Sequence, residues 1–146
     1  MKTLEARVQR LEDERDILGV LYTYGHAIDY NYEQEFLDCW TEDARLVYCA
    51  LDQTHQGREA IARAFREHTH APEAYHKHFL AEPRIRIDGD RATVESMYAR
   101  LDRFADGPKV RSFGRYVDVL VRCADGRWRF KERLAQRETQ HAQGAA

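Results

Sequence analysis

Cysteine is scarce in this sequence, and no two cysteines lie close together. The three are Cys39, Cys49 and Cys123. An odd number without a close pair suggests neither a disulfide framework nor a zinc ribbon. Each of them sits among apolar residues, so we predict three buried thiols that fill space in a core.

Long apolar runs and clusters of basic residues are also lacking. No stretch of eighteen apolar residues is present, and the first residues have no apolar segment typical of a signal peptide. The formal net charge is −2, with Lys and Arg spread along the chain. We therefore expect a cytoplasmic protein that binds neither membranes nor nucleic acid.

A helix is predicted at the N-terminus. Leu4, Val8, Leu11, Leu18 and Leu21 recur at helical spacing, with charged residues between them. The part before residue 15 has few apolar residues, so residues 1–14 are expected to form a helical arm that packs on a neighbouring subunit. Residues 16–28 carry more apolar side chains and are expected to contact the body of the fold.

The remaining pattern changes from helices to strands. We predict helices over 32–40 and from Gly57 onward, and strands over 45–51, 78–87, 91–104, 109–124 and 127–134. Three of the separators contain Asp-Gly, a strong hairpin signal, and Pro83 predicts a bulge. The 146 residues fit one α+β domain, with a flexible tail over 139–146. Long strands in a short chain leave one sheet face wide, which favours a homo-oligomer.

Several motifs in fixed order resemble those of a known family. They are Leu21-Tyr-Thr-Tyr-Gly-His-Ala-Ile-Asp29, Glu35-Phe-Leu-Asp-Cys-Trp-Thr-Glu-Asp-Ala, Gly57-Arg-Glu-Ala-Ile, the segment from His78 through Asp-Gly-Asp-Arg-Ala, Gly114-Arg-Tyr-Val-Asp118 and Asp125-Gly-Arg-Trp-Arg-Phe. Over about 11–136 the chain resembles the SnoaL-like branch of the nuclear transport factor 2 superfamily. The resemblance implies a single SnoaL-like domain over 1–146, folded as a cone-shaped α+β barrel with N-terminal helices packed in a strongly curved antiparallel sheet.

This superfamily serves many functions. It includes scytalone dehydratase, a bile-acid dehydratase, hexachlorocyclohexane dehydrochlorinase, polyketide cyclases and ketosteroid isomerase, together with proteins that only bind or assemble. Asp29 stands where the dehydratases and the dehydrochlorinase keep a carboxylate that orients a histidine, and His78 stands where they keep that histidine. Tyr24 is similar to the tyrosine of the bile-acid dehydratase. The chain departs from the family in having Glu82 where Asn is common, and a second histidine, His76.

These residues predict general-base chemistry. A neutral imidazole suits removal of a proton from carbon near neutral pH, and a buried carboxylate on its other nitrogen fixes the tautomer. Asp29 is thus the orienting group, His78 the base and Tyr24 the hydrogen-bond donor. Alternation places His76 on the same strand face as His78, so His76 is a second candidate for the base. Ideal helical geometry favours Tyr22 as the donor, whereas the resemblance favours Tyr24.

Further residues are predicted to line a substrate cavity, and ordinary core packing is the alternative for each. They are Trp40, Tyr48, Phe65, His76, Met97, Tyr98, Phe113 and Tyr116. Arg133 either faces the cavity, as in some relatives, or is an exposed sheet arginine, which its position favours. His68, His70, His76 and His78 form two His-x-His pairs, but their spacing does not favour a metal site.

The leading hypothesis is a cofactor-independent lyase of the dehydratase type. It abstracts a proton from a small aromatic or polycyclic substrate in an internal cavity, with no metal. Two alternatives use the same fold. One is a ligand-binding or assembly module in which the polar pair is structural, and the other is a polyketide cyclase or isomerase. An Asp29 carboxylate bonded to a histidine at an internal cavity favours the enzyme, and a filled core favours the module.

Overall fold

The computed structural model describes residues 3–139. The predicted tail lies almost wholly outside the described residues. Three helices, α1 (Leu4–Tyr30), α2 (Glu33–Asp38) and α3 (Arg58–Glu67), pack on one sheet. Its strands are β1 (Trp40–Tyr48), β2 (Gln53–Gln56), β3 (His76–Asp88), β4 (Arg91–Phe104), β5 (Gly107–Arg122) and β6 (Trp128–Arg137). None of the described helices is long and apolar enough to cross a membrane.

The six strands form an open sheet in the order β2-β1-β6-β5-β4-β3. This confirms the predicted α+β cone, with one correction to the sheet. Strands β1 and β6 pair in parallel, whereas the other pairs are antiparallel. Strands β3 to β6 are joined by hairpins and are therefore antiparallel to one another. Strand β1 comes earlier in the chain and lies beside β6, so no hairpin fixes its direction relative to β6. The sequence pattern missed β2, whose four residues Gln-Thr-His-Gln are all polar.

Helix α1 is a single rod of 27 residues. Ile17, Leu21, Tyr24 and Ile28 recur at steps of three and four residues, so they share one buried face that packs against the inside of the sheet. The helix ends where Asn31 adopts a left-handed conformation and its N–H donates to the Ala27 carbonyl. The N-terminal half is mostly exposed and continues the same helix, and its packing on a neighbouring subunit stays a prediction.

Asp13 is the first buried residue of α1. Its carboxylate accepts a hydrogen bond of 2.7 Å from Arg122 and one of 3.3 Å from the Trp128 indole. These bonds fix the middle of the helix to the hairpin between β5 and β6. The apolar arm residues before Asp13 have no such contact, since Leu4 and Leu11 are 68% and 66% exposed.

A buried arginine lies at the centre of the fold. Arg133 is fully buried and donates two hydrogen bonds of 2.8 Å to Asp118 on the neighbouring strand. Its guanidinium carbon lies 4.0 to 4.3 Å from the ring centroids of Tyr24, Tyr116 and Phe130. The prediction of an exposed arginine was wrong, because β6 is an interior strand and residue 133 faces α1. Removing one partner of such a pair typically costs about 3–5 kcal/mol.

Two local expectations have different outcomes. The bulge at Pro83 is confirmed, since the β3–β4 register shifts between Ala81 and Arg84 and Glu82 has a φ of 50°.

The prediction of three buried thiols was wrong for two of them. The three cysteines are free, but only Cys39 is buried, whereas Cys123 is half-buried and Cys49 is exposed. Cys49 opens the short 3-10 turn that follows β1, where the chain leaves the sheet.

Gly114 on β5 packs closely against the backbone of β6. A Cβ at this position would sit 2.0 Å from the Gln136 carbonyl oxygen on β6. We predict that Gly114→Ala forces β5 and β6 apart and lowers the free energy of unfolding by about 2 kcal/mol or more, as measured in urea.

Gly19 provides the matched control for this substitution. Its added Cβ would meet nothing within 4 Å on α1. Since alanine favours a helix over glycine, Gly19→Ala should raise the free energy of unfolding by about 0.5–1 kcal/mol. Equal effects of the two substitutions would contradict the packing argument.

Candidate active site

The last turn of α1 and the start of β3 bring three titratable side chains together. Asp29 is buried in the last turn of the helix, and His76 and His78 lie at alternate positions at the beginning of the strand. Their side chains are 5%, 2% and 12% exposed, respectively. The predicted pair therefore meets in space, and the second histidine joins it.

Asp29 is the hub of this group. Its Oδ1 lies 2.7 Å from His76 Nδ1 and 2.6 Å from His78 Nδ1. Its Oδ2 accepts the backbone N–H of His78 at 2.9 Å. The carboxylate thus fixes both the imidazole and the main chain of His78. Because Nδ1 of His78 is engaged, Nε2 is the nitrogen left for chemistry.

The surroundings hold Asp29 ionised and His78 neutral. Burial alone would raise the pKa of Asp29, but the hydrogen bonds from the ring and backbone N–H of His78, with the bond from His76, outweigh it and lower the pKa below its ordinary value. For His78 the largest effect is burial, which lowers its pKa, and the hydrogen bond that its Nδ1–H donates to Asp29 offsets this only in part. At neutral pH His78 therefore keeps a free lone pair.

His78 forms part of the wall of a cavity of about 300 Å³ between the helices and the sheet. Four tyrosines from four elements supply much of the remaining wall, and Tyr98 and Tyr116 stack with ring centroids 4.5 Å apart. The predicted residues that line this cavity are Tyr24, Tyr48, His78, Tyr98 and Tyr116. The cavity is therefore aromatic, with a histidine at one side.

Tyr24 projects from α1 into the same space, whereas the alternative Tyr22 is 51% exposed. Burial raises the pKa of the Tyr24 phenol, and the nearby positive charge of Arg133 offsets this only in part. The phenol keeps its proton at neutral pH and can donate a hydrogen bond. Helical geometry alone had favoured Tyr22, but the face that contains residues 17, 21, 24 and 28 is the one that faces the sheet.

Five predicted lining residues lie elsewhere, and we correct their placement. Trp40 and Phe65 are fully buried in the aromatic core, with Phe36 between them. His76 is buried beside His78 but does not reach the cavity. Met97 and Phe113 are about half exposed on the opposite sheet face, because strand alternation turns them away from Tyr98 and Ser112.

Sequence reasoning missed several cavity residues. Those with polar or charged groups are Gln53, His55, Glu67, His68, Arg100, Ser112 and Arg137. Arg100 pairs across the sheet with His78, so its position follows from the β3–β4 register rather than from a motif. Strand alternation could have identified Ser112, because it faces the inner side of the sheet in the same regular pattern as the predicted Tyr98.

The four histidines of the two His-x-His pairs form one cluster. His68 lies with its ring centroid 5.0 Å from that of His76 and 6.0 Å from that of His78. His68 Nε2 is buried and has no hydrogen-bond partner within 3–139. Burial, together with the neighbouring positive groups, lowers the pKa of His68 to about 3. It is therefore a neutral imidazole beside the candidate base.

His70 connects two helix ends instead. Its Nδ1 lies 2.6 Å from the Ile28 carbonyl oxygen and its Nε2 lies 2.9 Å from that of Phe65. These carbonyls belong to the last turns of α1 and α3, which have few intrahelical partners. His70 thereby helps to hold Asp29 in place, one residue beyond Ile28.

Asp29, His76 and His78 bring their potential ligand atoms within 4.8 Å of one another. Two ligands of one tetrahedral zinc ion lie about 3.3 Å apart, given metal–ligand distances of about 2.0–2.1 Å. The observed separations of 2.6 and 2.7 Å are those of hydrogen bonds. The arrangement therefore fits shared protons better than a common metal ion.

Residues 9–134 match the SnoaL-like domain family. The chain belongs to this family. No protein among the curated sequences matches the chain significantly. The sequence resemblance to the SnoaL-like branch is thus confirmed.

Solved structures of the same fold extend over nearly the whole chain. An NTF2-like protein with a cystatin-like fold from Novosphingobium aromaticivorans has a TM-score of 0.86 and 24% identity, over 97% of this chain and 94% of that one. A candidate scytalone dehydratase from the same organism has a TM-score of 0.72 and 21% identity, over 91% of each chain. The β subunit of a candidate aromatic-ring-hydroxylating dioxygenase, also from that organism, has a TM-score of 0.73 and 17% identity, over 90% and 93%. At these identities the likeness shows the fold alone.

The low pKa of His68 predicts a pH dependence of stability. The unfolded chain binds a proton on this histidine below a pH of about 6.5, whereas the folded protein does so only near pH 3. Its contribution to stability is therefore lost as the pH falls from about 6.5. We predict that His68→Gln removes about 1–2 kcal/mol of the decline in the free energy of unfolding between pH 8 and pH 5.

Urea titrations at several pH values measure this difference. His26→Gln is the control, since His26 is an exposed residue of α1. Between pH 8 and pH 5, the free energy of unfolding of His26→Gln should decline by the same amount as that of the unaltered protein. A decline for His68→Gln as steep as that of the unaltered protein would show that His68 titrates normally in the fold.

Proposed function

We propose that this protein is a cofactor-independent lyase of the dehydratase type, in which His78 removes a proton from a bound substrate. The observation that carries the proposal is the bond from His78 Nδ1 to buried Asp29 at the wall of an aromatic cavity. A filled core would instead have supported a module without chemistry. The low pKa of His78 adds support, because the imidazole stays unprotonated at neutral pH.

In this proposal each atom of the pair has its own role. While its Nδ1–H donates to Asp29, His78 accepts the substrate proton at Nε2. The imidazolium that forms is then stabilised by the adjacent carboxylate, which remains ionised. Tyr24 donates its phenolic hydrogen to an oxygen of the substrate, either the activating carbonyl or the departing hydroxyl. As the C–O bond breaks, the His78 imidazolium returns its proton to the departing hydroxyl, so that water leaves and His78 is neutral again.

The cavity walls indicate the substrate class. Tyrosine faces with apolar groups such as Ile28 and Leu51 suit a flat aromatic or polycyclic molecule. A volume of about 300 Å³ accommodates a small ligand of this type. The polar groups Arg100 and Ser112 can then orient its oxygens. Isomerases and cyclases begin with the same proton abstraction and differ from a dehydratase only in the later steps.

Substitution of the pair tests the proposal. Aromatic β-hydroxy ketones are offered as substrates, and loss of water is followed by the absorbance of the conjugated product. We predict that His78→Ala lowers kcat/KM by about 10²–10⁴-fold, because the base is lost. Asp29→Asn should lower it by a similar factor, because the amide no longer stabilises the imidazolium.

Thermal unfolding and binding of a non-reactive aromatic ketone provide the controls. Exposed His26 is replaced by Gln as the matched histidine variant, and it should retain full activity. A pair that is merely architectural would give a different pattern, in which both variants lose stability and ligand binding is unchanged. Proton exchange with solvent deuterium without loss of water would identify an isomerase.

We also propose a homodimer formed through the outer sheet face. Phe79, Met97 and Phe113 are 55%, 51% and 50% exposed there, and Ala99 pairs with both Phe79 and Phe113. The three large side chains thus form one exposed apolar patch across β3, β4 and β5. Such patches on soluble proteins commonly mark contact surfaces. The exposed apolar residues at the start of α1 provide a second contact.

Charge introduced into the patch tests the dimer. We predict that the double substitution Met97→Glu and Phe113→Glu converts the dimer to a monomer in sedimentation equilibrium, since four carboxylates would face one another. Tyr32→Glu replaces a residue that is 48% exposed outside the sheet, and it should leave the mass unchanged. A double variant that keeps the mass of the unaltered protein would exclude this face.

A further inference from the structure

His76 has a hydrogen-bond acceptor at each of its ring nitrogens. Nδ1 lies 2.7 Å from Oδ1 of Asp29, and Nε2 lies 2.5 Å from the Thr69 carbonyl oxygen. A backbone carbonyl can only accept, so Nε2 must carry a hydrogen. A neutral His76 would then present a bare Nδ1 to Asp29, and that contact requires a proton from elsewhere.

Counting protons around Oδ1 of Asp29 fixes the charge of the group. Two short contacts, to His76 and His78, meet at this oxygen, and each hydrogen bond needs its own proton. One is supplied by neutral His78 through Nδ1. The second is shared between Asp29 and His76, whichever of them holds it. The three side chains together are therefore neutral rather than negative.

The shared proton belongs on His76. A carboxylate that accepts three hydrogen bonds, two from imidazoles and one from the His78 backbone, is strongly favoured in its ionised form. The lowered pKa of Asp29 agrees with this. In addition, the Thr69 carbonyl stabilises the second N–H of an imidazolium.

We propose that His76 is a positioning residue, held as a buried imidazolium that neutralises Asp29 and keeps His78 in its neutral form with Nε2 free. This inference rests on the function proposed for His78. With a neutral residue at 76, the buried carboxylate would draw its compensating proton to His78, which would then be an imidazolium and no longer a base. His76 takes that proton instead.

Other titratable groups lie near His76. Burial keeps His68 neutral, both ring nitrogens of His70 face backbone carbonyl oxygens, and the Lys77 ammonium lies over the Tyr30 ring. On β4, Asp102 pairs with His76 in the register, but its carboxylate is engaged by Arg100 at 2.7 and 3.1 Å. Asp29 is thus the carboxylate available to His76. The positive charge of His76, whose ring centroid is 5.3 Å from that of His78, lowers the basicity of His78.

Nitrogen NMR of the full chain with ¹⁵N-labelled histidine tests the proposal directly, without a substrate. EDTA is present to remove bound metal ions. The ring signals are assigned with His70→Gln, His76→Gln and His78→Gln. At pH 7 we expect both nitrogens of His76 to carry protons, whereas His78 should show a protonated Nδ1 and a bare Nε2. One bare nitrogen on His76 would overturn the inference. This result is read from the spectrum of the unaltered protein, so it does not depend on the folding of any variant.

Titration of His78 in the His76→Gln variant is the second measurement. Removal of a positive charge at this distance should raise the pKa of His78 by about one to two units, and the acidic limb of any rate profile should shift with it. His26→Gln should leave the His78 titration unchanged. A purely structural role for His76 predicts no shift, and that result would refute the inference. Absence of turnover with normal NMR behaviour would instead refute only the proposed enzyme.

Discussion

The carboxylate of Asp29 fastens the end of α1 to the beginning of β3. Its two oxygens bind two imidazoles and one backbone N–H, all from the first three residues of the strand. The orientation of His78 at the cavity wall depends on this contact, and the contact also helps to hold the long helix against the sheet. It is also costly to maintain, because a buried carboxylate must be compensated by donors and charge.

The buried charge of Arg133 is compensated in a different way. Arg133 is neutralised by Asp118 with two parallel bonds and is enclosed by aromatic rings, so its charge is confined to the centre of the cone. Asp29 lacks an arginine and uses histidines, which can be neutral or charged. The rigid pair therefore suits structural support beneath the cavity, and the histidine group suits proton transfer at its wall.

The position of the histidines explains how one scaffold can hold a base. The strand alternation of β3 turns His76 and His78 to the same side, and the last turn of α1 brings Asp29 to both. His78 lies nearer the cavity, where burial depresses its pKa without isolating it from a ligand. His76 lies deeper, against the loop that follows α3. Two identical side chains two residues apart thus have different environments and different roles in the proposed mechanism.

The sequence by itself determined the class of fold and the family, and it predicted that Asp29 meets His78, because these leave local patterns: helical spacing in α1, Asp-Gly turns, and motifs in a fixed order. Tertiary structure alone decided that Arg133 is buried, that β1 joins β6 in parallel, that Met97 and Phe113 face outward, and that His76 shares Asp29 with His78. These depend on which strand is interior and which face α1 covers. Contacts between residues far apart in the chain set the burial of a side chain and the protonation of its neighbours. A local sequence pattern therefore cannot predict either property.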